Sequence, residues 1–285
     1  DLDFTHYTVE TNKFWKMFPP KLTPISQKVF KKIDVENFDV IISCGRKSVI
    51  PSIYLKKNSP KKITNIHIQD PKVNLDNFSY VIAPEHDGLT GKNIFSTKGA
   101  IHYLTKNEID NNSDYLKNRL DSNKEYFTLI LGGPTKHYDY SKENILKIFD
   151  LFNYLVEKNN LQGIIIPSMR TPKKIIELSS VKLSSNSLVI DNIDKKAYLS
   201  ALSLAKYIAV TCDSTSMISE AALTGKPIYI ADIPTKKNDI RIKKFRDLFA
   251  KLNIIKNLDN KLETWHYEIL DETSRVAKEI KKQLV

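Results

Sequence analysis

A run of small polar residues follows an apolar segment at 208–211 and precedes a helical pattern that ends near Gly225. The four residues are Asp213, Ser214, Thr215 and Ser216. Hydroxyl side chains there can cap the helix, while its first amides and positive dipole end face a phosphate. Glu220 lies one helical turn beyond Ser216, where its carboxylate could accept hydrogen bonds from two ribose hydroxyls. An ordinary helix cap with Glu220 in solvent fits the same residues, so both interpretations stay open.

Two further segments place glycine and basic residues directly after apolar runs. Gly132 and Gly133 follow the run at 127–131, and a backbone without side chains can approach a ligand closely. Lys136 stands just beyond them and could neutralise a phosphate, and Arg170 follows the next apolar run along the chain. A tight turn and an ordinary surface arginine would explain these residues equally well.

The first half of the sequence carries candidate acid–base groups. Gly45 and Arg46 repeat the order of strand, glycine turn and helix start. Asp70, and the neighbours His86 and Asp87, follow two more apolar runs, where a carboxylate or imidazole could act as general base for a hydroxyl. Polar turn residues without a catalytic role are the alternative interpretation.

The elements that must position these residues are predicted from short apolar runs bounded by turn residues. The runs span residues 40–43, 63–68, 80–84, 127–131, 164–167, 188–190, 208–211 and 228–230. Helical patterns lie between several of them, most clearly at 145–156, where apolar residues recur three and four apart. Alternation of strand and helix predicts α/β architecture with doubly wound parallel sheets, whose ligands bind at the carboxyl ends of strands.

The length of 285 residues fits two domains. A polar stretch at 110–125 is the best linker candidate, so we expect one lobe at residues 1–120 and a second at 121–285. The last helical segment, 272–284, could pack back on the N-terminal lobe. Residues 2–9 are spaced like a strand, so the numbered chain is expected to begin inside the first lobe and to lack its first strand and helix.

Charge and missing motifs limit the classes of function. A net charge of +11 allows phosphate-rich ligands, anionic lipid or nucleic acid as partners. Aromatic residues do not interleave with the basic runs as stacking on single strands requires, so no nucleic acid partner is expected. Walker loops, complete dinucleotide fingerprints, zinc-protease motifs and esterase elbows are missing from the sequence. Without an Asp-x-Asp pair after a strand, neither a metal nor a cofactor is expected.

Two features bear on cellular location. Cys44 and Cys212 form no disulfide framework or zinc spacing, which favours a reducing cytoplasm. The segment 242–252 is amphipathic and basic, and core packing explains it better than membrane docking. Peripheral contact with an anionic membrane, such as the inner membrane, stays open as an expectation.

Six segments together resemble the ELM-type mitochondrial fission protein family. They are Cys44-Gly-Arg-Lys47, Gln69-Asp-Pro71, Pro84-Glu-His-Asp87, Lys98-Gly-Ala-Ile-His102, Ser168-Met-Arg-Thr-Pro172 and residues 211–227. Bacterial members are regarded as glycosyltransferases of the GT-B type, and plant members are associated with recruiting the fission machinery to mitochondria. The resemblance implies two Rossmann-like lobes facing a cleft, with the acceptor on the N-terminal lobe and a nucleoside-diphosphate sugar on the C-terminal lobe.

The resemblance also implies roles for individual residues. Ser219-Glu220 is similar to the Ser-Glu pair of the GT-B donor helix, whose glutamate meets the ribose. Pro134 departs from the Gly-Gly-Ser form of the donor loop and removes an amide donor. The donor-binding residues would be Gly132, Gly133, Arg170, Asp213, Ser214, Thr215, Ser216 and Glu220, the acceptor-side residues Gly45 and Arg46, and the catalytic residues Asp87, His86 and Asp70.

The implied activity is transfer of a sugar to an unknown acceptor in cell-envelope glycan synthesis, with Arg170 steadying the diphosphate. Two alternatives remain at this stage. One is a non-catalytic adaptor that binds a protein partner or a membrane surface, and the other is a nucleotide-sugar epimerase or hydrolase.

Overall fold

The computed structural model describes residues 3–33 and 38–284 of the chain. Internal contacts divide the chain into two units, Asp1–Thr97 and Lys98–Val285. Each unit is built on a parallel β-sheet with helices between its strands. The predicted α/β class with two parallel-sheet units is therefore confirmed.

The first unit contains a four-stranded sheet in the order β1-β2-β3-β4. Its strands are β1 (Val40–Cys44), β2 (Thr64–Ile68), β3 (Tyr80–Pro84) and β4 (Ile94–Thr97), and its α-helix is α1 (Val49–Asn58). Short 3₁₀ helices span Phe14–Met17, Pro20–Leu22, Gln27–Val29, Arg46–Ser48, Leu75–Asn77 and Glu85–Asp87. Buried Val49 and Ile53 of α1 pack with Phe30, Phe78 and Val81 to form the core of this unit.

The strand predicted at residues 2–9 is not formed within its described part. Residues 3–10 make no strand, and Thr11 forms an isolated antiparallel bridge with Phe30; Leu2 lies outside the described residues. The end of the segment instead pairs with residues further along the chain, since the amide of Lys31 donates to the carbonyl of Glu10 at 2.9 Å. Alternating apolar spacing alone therefore misled the prediction here, because it shows which side chains could share a face but not whether a partner strand pairs with the segment.

The second unit contains a six-stranded sheet in the order β10-β9-β8-β5-β6-β7. Its strands are β5 (Tyr126–Leu131), β6 (Gln162–Pro167), β7 (Ser187–Val189), β8 (Ala205–Thr211), β9 (Ile228–Ala231) and β10 (Ile255–Asn257). Counted from its own first strand, this is the strand order of a Rossmann domain. The order reverses between β5 and β8, and that point is where such sheets open a crevice for ligands.

Seven helices flank this sheet among the described residues. They are α2 (Lys106–Asp110), α3 (Lys142–Lys158), α4 (Lys173–Lys182), α5 (Lys195–Leu204), α6 (Thr215–Ala222), α7 (Ile240–Lys251) and α8 (Glu272–Leu284), with a 3₁₀ helix at Ser113–Arg119. The predicted amphipathic pattern of α3 is seen in its packing, because Phe152 is fully buried and stacks on Phe127 of β5 at 4.6 Å between ring centroids. None of the described helices combines the length and apolar character needed to cross a membrane.

The unit boundary differs from the expected one at residue 120. Residues 98–120 belong to the second unit, because Leu104, Ile109 and Leu116 are buried there. The amide of Leu116 donates to the Ser200 hydroxyl of α5 at 3.1 Å. A few apolar residues are enough to hold this polar stretch against the second unit. Because the rest of the stretch is polar, its composition suggested a linker.

Helix α8 lies in the second unit and fixes the beginning of that unit. The buried carboxylate of Glu272 accepts a hydrogen bond from the amide of Lys98 at 2.7 Å. Arg275 binds both oxygens of this carboxylate at 2.8 Å, so the buried charge is paired. These contacts hold Lys98, the first residue of the second unit, in place.

His67 is a buried titratable residue in the middle of the first sheet. The residue is 1% exposed, and its Nδ1 lies 2.9 Å from the Ser43 hydroxyl. Burial lowers the pKa of His67 to about 4, although nearby Asp70 acts in the opposite direction. The imidazole is therefore neutral at neutral pH.

Acidification is expected to destabilise the first unit through His67. Its pKa is 6.5 in the unfolded chain and about 4 in the folded one, so stability is full above 6.5 and falls as pH drops towards 4. The loss is about 3 kcal/mol. Thermal unfolding should therefore show His67→Gln less stable than wild type at neutral pH, with the difference shrinking as the pH approaches 4. A difference that is independent of pH would contradict a buried neutral His67.

Candidate ligand site at the carboxyl edge of the second sheet

The loop after β5 is bound directly to the end of β8, at the point where the strand order reverses. The amide of Gly132 donates to the Thr211 hydroxyl at 2.8 Å. The amide of Gly133 donates to the Asp213 carboxylate at 3.1 Å. Both glycine amides predicted to face a ligand therefore have partners within the protein, and the pair joins two strand ends.

Glycine is required at both positions because the space for a side chain is already occupied. A Cβ on Gly133 would lie 2.0 Å from the backbone carbonyl oxygen of Arg170, and one on Gly132 would lie 2.3 Å from the Asp213 carboxylate. The carbonyl of Gly132 accepts hydrogen bonds from Thr171 at 2.7 Å and from Tyr140 at 3.0 Å. Close packing against neighbouring atoms, rather than an unusual backbone angle, explains why glycine stands at positions 132 and 133.

Asp213 is the most fully engaged charged residue described at this edge. It is 6% exposed, and its carboxylate accepts from the Thr211 hydroxyl at 2.7 Å and from the Gly133 amide. Arg170 completes the set with an ion pair at 2.8 Å. A buried carboxylate needs this compensation, because an unpaired buried charge is strongly destabilising.

Arg170 also keeps a face towards solvent. Its side chain is 43% exposed, although one nitrogen pairs with Asp213 and another lies 3.4 Å from the Gly133 carbonyl oxygen. A guanidinium has more N–H donors than these two contacts use. Arg170 and Asp213, which were both predicted to bind the sugar nucleotide, thus bind each other. Only Arg170 has N–H groups left that could bind a ligand.

The start of α6 matches the predicted cap. The Ser214 hydroxyl accepts from the amide of Met217 at 3.4 Å, which satisfies one of the first amides of the helix. The amides of Thr215 and Ser216 precede it and have no partner within a helix of this geometry. Ser216 is exposed and Thr215 half-buried, so this end of the helix presents amides and hydroxyls together.

Glu220 is half-buried and already receives one hydrogen bond. The Tyr198 hydroxyl of α5 donates to one of its oxygens at 2.6 Å. Burial raises the pKa of Glu220, while the Tyr198 hydrogen bond and His102 act to lower it. Sequence reasoning gave no role to Tyr198 or His102, because nothing in the local pattern shows which helices meet.

Ser219 lies beside Glu220 but serves another contact. It is 2% exposed, and its hydroxyl accepts from the amide of Ala100 at 2.9 Å while donating to the Thr215 carbonyl at 2.8 Å. The segment 98–102 is thereby pinned to α6. Of the Ser-Glu pair, only Glu220 retains an oxygen that could meet a ligand.

The acceptor-side candidates of the first unit surround the start of α1. Gly45 has a φ of 79°, a conformation that glycine adopts readily, and it precedes the 3₁₀ turn into the helix. One Arg46 guanidinium nitrogen donates to the carbonyl of Lys16 at 2.5 Å. Arg46 therefore holds the chain segment around residue 16.

The three candidate bases of the first unit have different surroundings. Asp70 accepts from the amide of Lys72 at 2.8 Å and forms an ion pair with the Lys72 ammonium. His86 Nε2 lies 3.8 Å from a carboxylate oxygen of Asp87, and both side chains are 4% exposed. His86 and Asp87 are adjacent in the chain, and the distance between these two atoms is longer than a hydrogen bond. Among residues 3–33 and 38–284, no group of three or more metal-ligating side chains is placed to hold a metal ion.

Comparison with known proteins identifies relatives along the whole chain. The family model described as mitochondrial fission ELM1 matches residues 1–284. Uncharacterized protein RP120 of Rickettsia prowazekii is 27% identical over 281 residues, which covers 85% of this chain and 79% of that protein. Mitochondrial fission protein ELM1 of Arabidopsis thaliana is 22% identical over 275 residues, which covers 86% of this chain and 64% of the plant protein.

Solved structures with some similarity include UDP-GlcNAc 2-epimerases. The Neisseria meningitidis enzyme, bound to UDP-GlcNAc, gives a TM-score of 0.49 at 15% identity and covers 86% of this chain and 76% of that one. The Methanocaldococcus jannaschii enzyme gives 0.47 at 17% identity, with 86% and 77% covered.

Gly133→Ala is expected to lower the free energy of unfolding by about 3 kcal/mol, because its Cβ overlaps the backbone of Arg170. Urea denaturation measures this change. Gly91→Ala is the matched control, since its Cβ would meet only side-chain atoms at 3.2 Å or more, and should cost less than about 1 kcal/mol. Equal losses in the two variants would contradict the packing described for the glycine pair.

Proposed function

The chain belongs to the mitochondrial fission ELM1 family, and we propose that it is a glycosyltransferase whose second unit binds a nucleoside-diphosphate sugar. The observation that carries the proposal is the carboxyl edge of the second sheet, where the strand order reverses between β5 and β8. Helix α6 begins directly after β8, and the partly exposed Arg170 follows β6. This is the location at which open parallel sheets bind ligands.

The diphosphate is the part of the ligand that this edge suits best. The first amides of α6 and its dipole favour a negative charge, and the Ser216 hydroxyl adds a donor. Arg170 supplies a positive charge whose remaining N–H groups can meet phosphate oxygens while Asp213 holds its other side. The buried charge of Asp213 is compensated before the ligand arrives, so it does not oppose a diphosphate as a lone carboxylate would.

The nucleoside is assigned to the side of α6 that carries Glu220. Ser216 and Glu220 are four residues apart and lie on one helical face. Tyr198 occupies one carboxylate oxygen of Glu220 and orients the group. The second oxygen is proposed to accept a hydrogen bond from a ribose hydroxyl.

The first unit is proposed to hold the acceptor and to supply the general base. The acceptor hydroxyl oxygen attacks the anomeric carbon, and the bond from that carbon to the diphosphate breaks. The nucleoside diphosphate leaves with the electron pair, and the hydroxyl proton passes to Asp87, His86 or Asp70. The proximity of His86 to Asp87, at 3.8 Å between Nε2 and a carboxylate oxygen, favours His86, since a carboxylate can orient an imidazole that acts as general base. The sugar nucleotide is the substrate, and the proposed reaction needs no further cofactor.

A second candidate is a non-catalytic adaptor that keeps the fold and binds a protein partner. The Arabidopsis relative is named for mitochondrial fission. Both amides of the glycine pair are also engaged within the protein, which leaves fewer donors for phosphate than a glycine loop provides. An adaptor would fold normally and show no affinity for nucleotides.

Ser216→Asp tests the proposed diphosphate site without removing a buried contact. An acidic residue in the first turn favours the helix but repels a phosphate, so the variant should keep its own stability and lose the ligand. A saturating nucleoside diphosphate should stabilise wild type by about 3 kcal/mol at a hundredfold excess over its Kd. Thermal unfolding with UDP, GDP, ADP and dTDP, alone and as sugar conjugates, measures both effects.

Lys196→Glu is the control for Ser216→Asp, because it places an acidic residue at the second position of α5. This variant should keep the full thermal shift. A shift that survives in Ser216→Asp would locate the ligand elsewhere. The absence of a shift with every nucleotide would overturn the glycosyltransferase proposal and favour the adaptor.

The base assignment is tested by Asp70→Asn, His86→Gln and Asp87→Asn, singly and together. Loss of the base should lower the transfer rate by about 10²- to 10⁴-fold, while the thermal shift with the nucleotide stays unchanged. Product analysis by mass spectrometry, with the donor that gives the shift, separates transfer from hydrolysis or epimerisation. Full transfer by the triple variant would show that none of these residues is the base.

A further inference from the structure

The segment from residue 11 to residue 33 contains lysines and no carboxylate. Its six lysines are Lys13, Lys16, Lys21, Lys28, Lys31 and Lys32. Lys31 pairs with Glu10, which lies just before the segment. Within the same segment, Phe14 is 59% exposed, Met17 75% and Leu22 66%. This stretch of surface therefore carries large exposed apolar side chains together with lysines and no acidic residue.

The backbone places these side chains side by side. Residues Phe14–Met17 form a 3₁₀ helix, in which side chains three residues apart are eclipsed. Phe14 and Met17 therefore project along one line, and Lys13 and Lys16 along the neighbouring one. The result is a strip of apolar residues edged by ammonium groups.

The strip is held firmly against the first unit. Trp15 points inward and packs on the core, with its ring 4.9 Å from that of Phe14. The amide of Asn12 donates to the carbonyl of Val29 at 2.9 Å, and Arg46 binds the carbonyl of Lys16. The exposure of Phe14 and Met17 is thus a feature of an anchored segment.

A small cationic cavity opens beside the strip. It has a volume of about 110 Å³, and its lining includes Lys16, Arg46 and Lys47 together with the rings of Trp15 and Phe18. This volume suits one phosphate-sized group rather than a nucleotide. The cations at the cavity and along the strip could together bind an anionic headgroup, while the apolar side chains contact an apolar layer beside it.

We propose that residues 13–25 form a docking surface for an anionic phospholipid membrane. Phe14, Met17 and Leu22 enter the boundary between headgroups and acyl chains, where exposed apolar area is removed from water. The lysines stay at the level of the headgroups and attract their phosphates. A lipid surface is favoured over a protein partner because the charge of the segment has one sign and its exposed apolar residues project outward.

Co-sedimentation of the intact protein with vesicles tests this surface. The protein should bind vesicles made of equal parts phosphatidylcholine and phosphatidylglycerol, and bind phosphatidylcholine vesicles weakly. Binding should fall as sodium chloride is raised, because salt screens the exposed charges. Equal binding to both vesicles, or no binding to the anionic ones, would overturn the proposal.

Two double variants separate the contributions of charge and apolar area. Lys16→Gln with Lys21→Gln should weaken partition to anionic vesicles about 25-fold, at about fivefold for each lysine. Phe14→Ser with Met17→Ser should weaken it by about tenfold or more. All four side chains are exposed, so both variants should stay folded. Only Phe14→Ser, which removes ring contacts with Trp15 and Phe18, should lower the unfolding temperature slightly.

A triple variant on α4 serves as the control. Val181→Ser, Lys174→Gln and Lys182→Gln remove a similar set of exposed groups from a surface of the second unit and should leave vesicle binding unchanged. Equal loss in this variant would mean that net charge rather than the strip decides binding. Complete displacement by inorganic phosphate, at constant ionic strength, would instead assign the cations to a soluble anion.

Discussion

The second unit depends on the pairing of one buried charge, the carboxylate of Asp213. Three chain segments donate to it: the end of β8 through Thr211, the loop after β5 through Gly133, and the loop after β6 through Arg170. Each donor lowers the cost of keeping the carboxylate away from water. The strand ends on both sides of the reversal in strand order are thereby joined through a single side chain.

The neighbouring loops continue this network along the edge of the sheet. Tyr138, in the loop after β5, forms an antiparallel bridge with Thr235, in the loop after β9. The Tyr138 hydroxyl donates to Asp239 at 2.7 Å, and Arg246 binds Asp232 at 2.8 Å. The loops along this edge are therefore held in place by contacts within the protein. A site that is ordered in advance avoids the entropic cost of becoming ordered when a ligand binds.

Local patterns predicted the strands β1 to β3 and β5 to β9 and the cap of α6, because apolar runs and helix caps depend on neighbours in sequence. The same patterns missed the short strands β4 and β10 and wrongly predicted a strand at residues 2–9. The family resemblance is confirmed by a match over residues 1–284. Partners distant in sequence were not predictable: nothing near Asp213 indicates that it binds Arg170, and nothing near Glu220 indicates Tyr198. The docking of residues 98–120 was missed for the same reason, since Leu116 is apolar in a polar stretch and its contacts lie far along the chain.

The shared guanidinium of Arg170 has a consequence for variation within the family. Its planar fork lets one charge bind Asp213 on its buried side and present N–H groups to solvent on the other. A lysine at this position would carry the same charge as a single point, and it could serve the interior or the ligand but not both. Under the proposed function, the residue type at position 170 should therefore differ between relatives that bind a diphosphate at this edge and relatives that do not.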